Sequence, residues 1–114
     1  MSQWTIYHNP QCSKSRQALA LLKEKGVNPE VIEYLKQNPS EPELQEIATK
    51  LKGPVSSLVR TKEDLYKELK FDLSSPQKII QNLARHPRLI ERPIVVKDNI
   101  AIIARPPELV QQLF

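Results

Sequence analysis

The sequence predicts an α/β fold, ordered β-α-β, then an inserted helical block, then β-β-α, with a four-stranded mixed sheet. Three observations carry the prediction. A β-branched and aromatic pentapeptide near the start gives way to a helical stripe within a few residues. The middle holds successive amphipathic stretches separated by Ser, Gly and Pro signals. The last third switches to short Ile and Val runs around a polar turn. With 114 residues, no repeats and no linker, residues 1–114 are expected to form a single domain.

"WTIYH", Trp4 to His8, reads as the first strand, and Asn9-Pro10 breaks it. From Ser13 to Lys25 the apolar positions Ala18, Leu19, Leu21 and Leu22 trace a helical stripe, with Gly26 as its stop. "PEVIEYL", Pro29 to Leu35, reads as a second strand, parallel to the first through a right-handed crossover. "SEPE" at Ser40 to Glu43 has capping-box spacing, and Leu44, Ile47, Ala48 and Leu51 follow on one face before Gly53-Pro54. A short turn carries Val55 to Arg60, and a helical piece near Glu63 to Leu69 places Leu65 and Leu69 on one side. Ser75-Pro76 opens a further helix with Ile79, Ile80, Leu83 and Ala84 inward, ended by His86-Pro87. "PIVV" and "IAIIA" flank Lys97-Asp98-Asn99 as an antiparallel hairpin. Pro106-Pro107-Glu108 starts a last helix with Leu109, Val110 and Leu113 inward. This is the plan of a thioredoxin-like domain with helices inserted in the middle.

Composition narrows the function classes. The net charge of +4 invites a nucleic-acid reading, but the lysines alternate with Glu and Gln as on solvated helix faces, without a basic block or close aromatic platforms. No nucleic-acid partner is expected. The longest apolar stretch is "IAIIA", Ile100 to Ala104, far short of a membrane span, so no membrane association is expected. "MSQWTIYHNP" has neither the basic start nor the apolar run of a signal peptide. With one cysteine no internal disulfide can form, and a reducing cytoplasm is the expected compartment.

That cysteine, Cys12, stands where strand gives way to helix. Unpaired N–H groups at a helix start carry partial positive charge, worth about 0.3–1 kcal/mol at exposed sites, and favour thiolate over thiol. Lys14, Arg16 and His8 push the same way, and the same N–H groups can cradle an oxyanion. The bland alternative is a small buried hydrophobe. Ser15 occupies the place of the second thiol in a Cys-x-x-Cys motif, so an oxidised Cys12 needs an external thiol to resolve it. Its hydroxyl either donates to the sulfur anion or is ordinary first-turn polarity. His8 either stabilises the thiolate as a cation or closes the strand. Cys12, His8 and His86 do not make a zinc ligand set, so no metal is expected.

"HNPQCSKSR" (His8 to Arg16), "LVR" (Leu58 to Arg60), "HPRLIERPIVV" (His86 to Val96) and "ARPPE" (Ala104 to Glu108) together resemble the glutaredoxin-coupled arsenate reductases, in the same order and spacing from about Thr5 to Leu113. The resemblance implies a thioredoxin-like fold and a cis bond before Pro93, facing the catalytic cysteine. It implies Cys12 as nucleophile, His8 and Ser15 around the thiolate, and Arg60, Arg92 and Arg105 on the oxyanion and the arsenic intermediates. It implies no bound cofactor, glutathione as co-substrate, glutaredoxin as partner, arsenate or a similar oxyanion as substrate, and a monomer. Guanidinium forks suit such a tetrahedral dianion better than lysine does. Ser13 and Lys14 stand where the best-known members have Gly-Thr and would line the oxyanion site. The "CSKS" form resembles an arsenate-reductase-like branch, which leaves two alternatives: thiol transfer on another substrate, or a thioredoxin-fold regulator of the RNA polymerase-binding type.

Overall fold

The computed structural model describes residues 2–114. Four strands, β1 (Trp4–His8), β2 (Glu30–Glu33), β3 (Ile94–Lys97) and β4 (Ile100–Ile103), form one sheet in the order β2-β1-β3-β4. The β1–β2 pair is parallel, while β1–β3 and β3–β4 are antiparallel. Helices α1 (Ser13–Glu24), α2 (Glu41–Lys50), α3 (Asp64–Leu69) and α4 (Pro76–Arg85) complete the main framework. This is the mixed-sheet, thioredoxin-like arrangement that the sequence predicts.

Period-two alternation sorts the sheet residues into two cores. Ile6, Val95 and Ile102 are neighbours in the strand register and pack against Ala18, Leu22, Val110 and Leu113. Tyr7, Ile94, Val96 and Ala101 face the other way, onto Leu44, Ile47, Ile79, Ile80 and Leu83. Helices α2 and α4, on that second face, have clear starts. Ser40 accepts from the Glu43 N–H at 3.2 Å while the Glu43 carboxylate reaches back to the Ser40 N–H, a complete capping box. Ser75 caps α4 through the Lys78 N–H at 3.3 Å. The hairpin turns at Asp98, whose φ of 52° suits a tight turn. The Asp98 carboxylate and N–H are both tied to the backbone of Gln3.

Four details differ from the sequence reading. Strand β2 is shorter than Pro29 to Leu35, because the chain turns after Glu33 and sends Tyr34 inward while Leu35 faces solvent. In α1 only Ser15, Ala18 and Leu22 are fully buried; Leu19 and Leu21 lie on the margin. Helix α3 buries no residue completely: Leu65 packs on the core, and Leu69 is exposed beside Lys70, whose left-handed backbone ends the helix. The last helix, Pro107–Leu113, is 3-10. Three residues per turn put Pro107, Val110 and Leu113 on one buried face, with Pro107 inside and Leu109 at the edge. Lys97 Nζ donates to the Leu113 carbonyl at 2.6 Å and fixes its end.

Candidate active site

Cys12 is the N-cap residue of α1, with extended backbone (φ −95°, ψ 121°). The turn before it is closed by the Cys12 N–H donating to the Asn9 carbonyl at 2.9 Å. The Cys12 side chain makes no cap hydrogen bond. Partial burial pushes the Cys12 thiol up, and four groups outweigh it: the Ser15 N–H, the Arg92 charge, the Lys14 N–H and the Arg105 guanidinium. The net direction is down, toward thiolate. Arg105 Nη1 lies 3.9 Å from Sγ, and the sulfur is half-buried, still open to reagents.

Behind the sulfur, the buried Ser15 hydroxyl stands 2.6 Å from His8 Nδ1 and accepts the Asn9 N–H at 3.0 Å. Ser15 therefore reaches Cys12 through its backbone N–H, while its hydroxyl fastens β1 to α1. Burial pushes the His8 imidazole down; the Glu33 carboxylate opposes this, and Arg16 and Lys23 add to it. The neutral ring is favoured, which fits the strand-closing reading of His8 better than the cationic one. Ser13 is exposed at the first position of α1, and Lys14 follows half-buried.

The arginines come from three separate segments. Two backbone bonds, Arg60 N–H to Leu89 carbonyl at 2.8 Å and Glu91 N–H to Leu58 carbonyl at 2.7 Å, clip the segment before α3 to the approach to β3. The Ala104 N–H donates to the Pro93 carbonyl at 2.9 Å, which extends the hairpin and sets Arg105 beside Arg92. Arg105 Nη1 also donates to the Arg92 carbonyl at 3.2 Å. The Arg92–Pro93 and Arg105–Pro106 bonds are both cis; only the first is implied by the sequence.

Arg60, Arg92 and Arg105 line one cleft of ≈ 270 Å³ with Thr61, Lys62, Glu63 and Glu91. Four cations there face two carboxylates. Glu63 pairs with Arg60 at 3.5 Å and Glu91 with Arg92 at 3.1 Å, while Arg105 has no carboxylate partner among the described residues. Arg92 Nε is buried without an acceptor, an arrangement that costs free energy until an anion supplies one. A larger open hollow of ≈ 960 Å³ lies between the starts of α2 and α4, lined by Glu41, Pro42, Gln45, Pro76, Gln77 and Ile80. Neither a cysteine nor a cation lines it, so its size does not make it the candidate site.

Sequence reasoning missed Asn9 as a structural hub and the carboxylates Glu63 and Glu91. Asn9-Pro10 reads only as a strand break. Among the described residues no group of three or more His, Cys, Asp or Glu gathers as a metal site. No helix there is long and apolar enough to cross a membrane.

Residues 7–113 match the ArsC family. The chain is 49% identical to the "Uncharacterized protein YfgD" of Escherichia coli K12, over 97% of this chain and 96% of that protein. It is 47% identical to an arsenate reductase of Haemophilus influenzae, over 95% of this chain and 96% of that one. The solved structure of an arsenate reductase from Vibrio cholerae superimposes with a TM-score of 0.91 at 45% identity, covering 98% of both chains. A cysteine at a helix start, an arginine-lined cleft and near-complete sequence coverage converge on one conclusion: the chain belongs to the ArsC family.

Proposed function

We propose that the protein reduces arsenate to arsenite, with the Cys12 thiolate as nucleophile and with glutathione and glutaredoxin as external reductants. The observation that carries this reading is the half-buried sulfur, drawn toward its anion, 3.9 Å from a guanidinium at the arginine-lined cleft. The family relatives named as arsenate reductases support the choice of oxyanion.

Arsenate docks with its oxygens toward Arg60, Arg92 and Arg105, and Arg92 Nε gains its missing acceptor. The N–H groups at the start of α1, with Ser13 and Lys14, add donors on the sulfur side. Cys12 sulfur attacks arsenic and expels hydroxide, which leaves as water after taking a proton. The arginines offset the charge on the oxygens as arsenic changes geometry. Glutathione sulfur then bonds to Cys12 sulfur and the S–As bond breaks toward arsenic. Two electrons pass to arsenic, arsenite departs, and a Cys12–glutathione disulfide remains. A glutaredoxin thiol takes the glutathione and returns Cys12 to its reduced form. His8 and Ser15 hold the strand–helix junction through the cycle. Dependence on glutathione fits a reducing cytoplasm.

The test is arsenite formation by the purified protein with arsenate, glutathione and glutaredoxin. Arsenite is expected with the wild type and not with Cys12→Ser. No arsenite from the wild type, with glutaredoxin-dependent turnover of a glutathione mixed disulfide retained, would favour thiol transfer on another substrate.

A further inference from the structure

We propose that the groove along the outer edge of β4, from Lys52 to Arg105, holds glutathione while its sulfur is joined to Cys12. The proposal rests on the thiol cycle above and gives its reductant a binding place.

A groove of ≈ 440 Å³ adjoins the arginine-lined cleft, and Arg105 and Glu91 line both. Its volume falls in the range of small-molecule sites. Arg105 Nη1 is also the group 3.9 Å from the Cys12 sulfur, so a ligand seated against Arg105 lies beside that sulfur. The groove walls come from β4, the turn after α2 and the last helix. Hydrogen bonds fix that turn in place. The Lys52 N–H donates to the Ala101 carbonyl at 3.0 Å. The Pro54 carbonyl accepts the Ser57 N–H at 3.0 Å and the Ser57 hydroxyl at 2.6 Å.

The charges match the ligand in number and sign. Glutathione carries two carboxylates and one ammonium near neutral pH. The groove offers two cations, Lys52 and Arg105, neither with a carboxylate partner among the described residues. Its one carboxylate is Glu91, which can take the ammonium beside its contact with Arg92. The sheet edge suits a peptide as well. Ile103 stands opposite Ile94, and the Ala104 N–H bonds inward to the Pro93 carbonyl. Alternation along β4 therefore turns the backbone groups of Ala101 and Ile103 outward. Lys52 takes the Ala101 carbonyl, and the Arg105 N–H takes the Ile103 carbonyl at 2.9 Å. The Ile103 N–H faces the same edge and can donate to a peptide carbonyl of the ligand. Pro54 and Leu109 supply apolar surface for its methylene groups.

The experiment follows mixed-disulfide formation at Cys12 by intact mass, with glutathione disulfide or the uncharged 2-hydroxyethyl disulfide as reagent. In each case the Cys12 thiolate bonds to one sulfur and the reagent's S–S bond breaks. The other half leaves as a thiolate, which takes a proton from water. Loss of a charge-assisted contact is expected to slow glutathione disulfide about tenfold in Lys52→Glu. The same variant is expected to react with 2-hydroxyethyl disulfide within about twofold of wild type. Lys78→Glu, the same charge change at an exposed position of α4, is expected to match wild type with both reagents. No slowing, equal slowing with both reagents, or equal slowing in Lys78→Glu overturns the proposal. No reaction of wild-type Cys12 with either reagent overturns both the groove and the thiol cycle. Selective slowing in Lys52→Glu, without arsenite from the wild type, leaves the groove standing and removes arsenate as substrate. Arsenite from the wild type, with an unchanged glutathione disulfide rate in Lys52→Glu, removes the groove alone.

Discussion

Ser15→Ala removes one oxygen that serves two neighbours. The hydroxyl is fully buried, 2.6 Å from His8 Nδ1 and 3.0 Å from the Asn9 N–H. Alanine fits the helix as well as serine does, so the loss falls on the hydrogen bonds. The His8 ring is buried, and a ring nitrogen left without a partner costs about 1–3 kcal/mol. The half-buried Asn9 N–H recovers part of its bond from water and adds about 1 kcal/mol. The sum is about 2–4 kcal/mol, a large share of the stability of a domain this size. In a urea titration the midpoint should fall by about 1–2 M. Alkylation of Cys12 should nevertheless stay fast in the folded variant, because the residue-15 N–H survives the substitution. A stability loss below about 0.5 kcal/mol, or slow alkylation with stability intact, would refute the reasoning; the latter would mean that the hydroxyl acts on the sulfur directly.

The arginine assignment predicts that Arg92→Lys lowers arsenate turnover at least tenfold, since lysine lacks the planar fork and the Nε donor. Lys36→Ala, at a side chain 79% exposed and paired only with Glu33 at 3.5 Å, should stay within about twofold; equal losses would contradict the assignment. The lowered Cys12 pKa carries a stability signature. Between its folded value and the ordinary thiol value of about 8.5, the unfolded chain binds the proton and the folded one does not. Wild-type stability relative to Cys12→Ser should therefore rise with pH through that window, level off above it, and be lost as pH falls through the folded value. A flat or falling difference in paired urea titrations would contradict the sign.

Local signals made most of the fold legible. Ser40 with Glu43, Ser75 with Pro76, and Asp98 at the hairpin turn are short-range devices whose chemistry is complete within four residues. The final helix was harder, because seven residues do not separate a period of 3.6 from one of 3.0. Only packing shows that Pro107, rather than Leu109, faces inward. At the site, the helix-start position of Cys12 and the proline-flanked Arg92 and Arg105 stand out in the chain itself. The partners of those groups do not. Glu91 beside Arg92, Glu63 beside Arg60 and Ser15 against His8 depend on side-chain direction.

Everything turns on the ionisation of one sulfur, and the direct measurement is the rate of Cys12 alkylation by iodoacetamide as a function of pH. The rate should rise to its plateau with a midpoint below that of free cysteine, because the Ser15 and Lys14 N–H groups, Arg92 and Arg105 outweigh burial. A midpoint at or above the free-cysteine value would contradict the account.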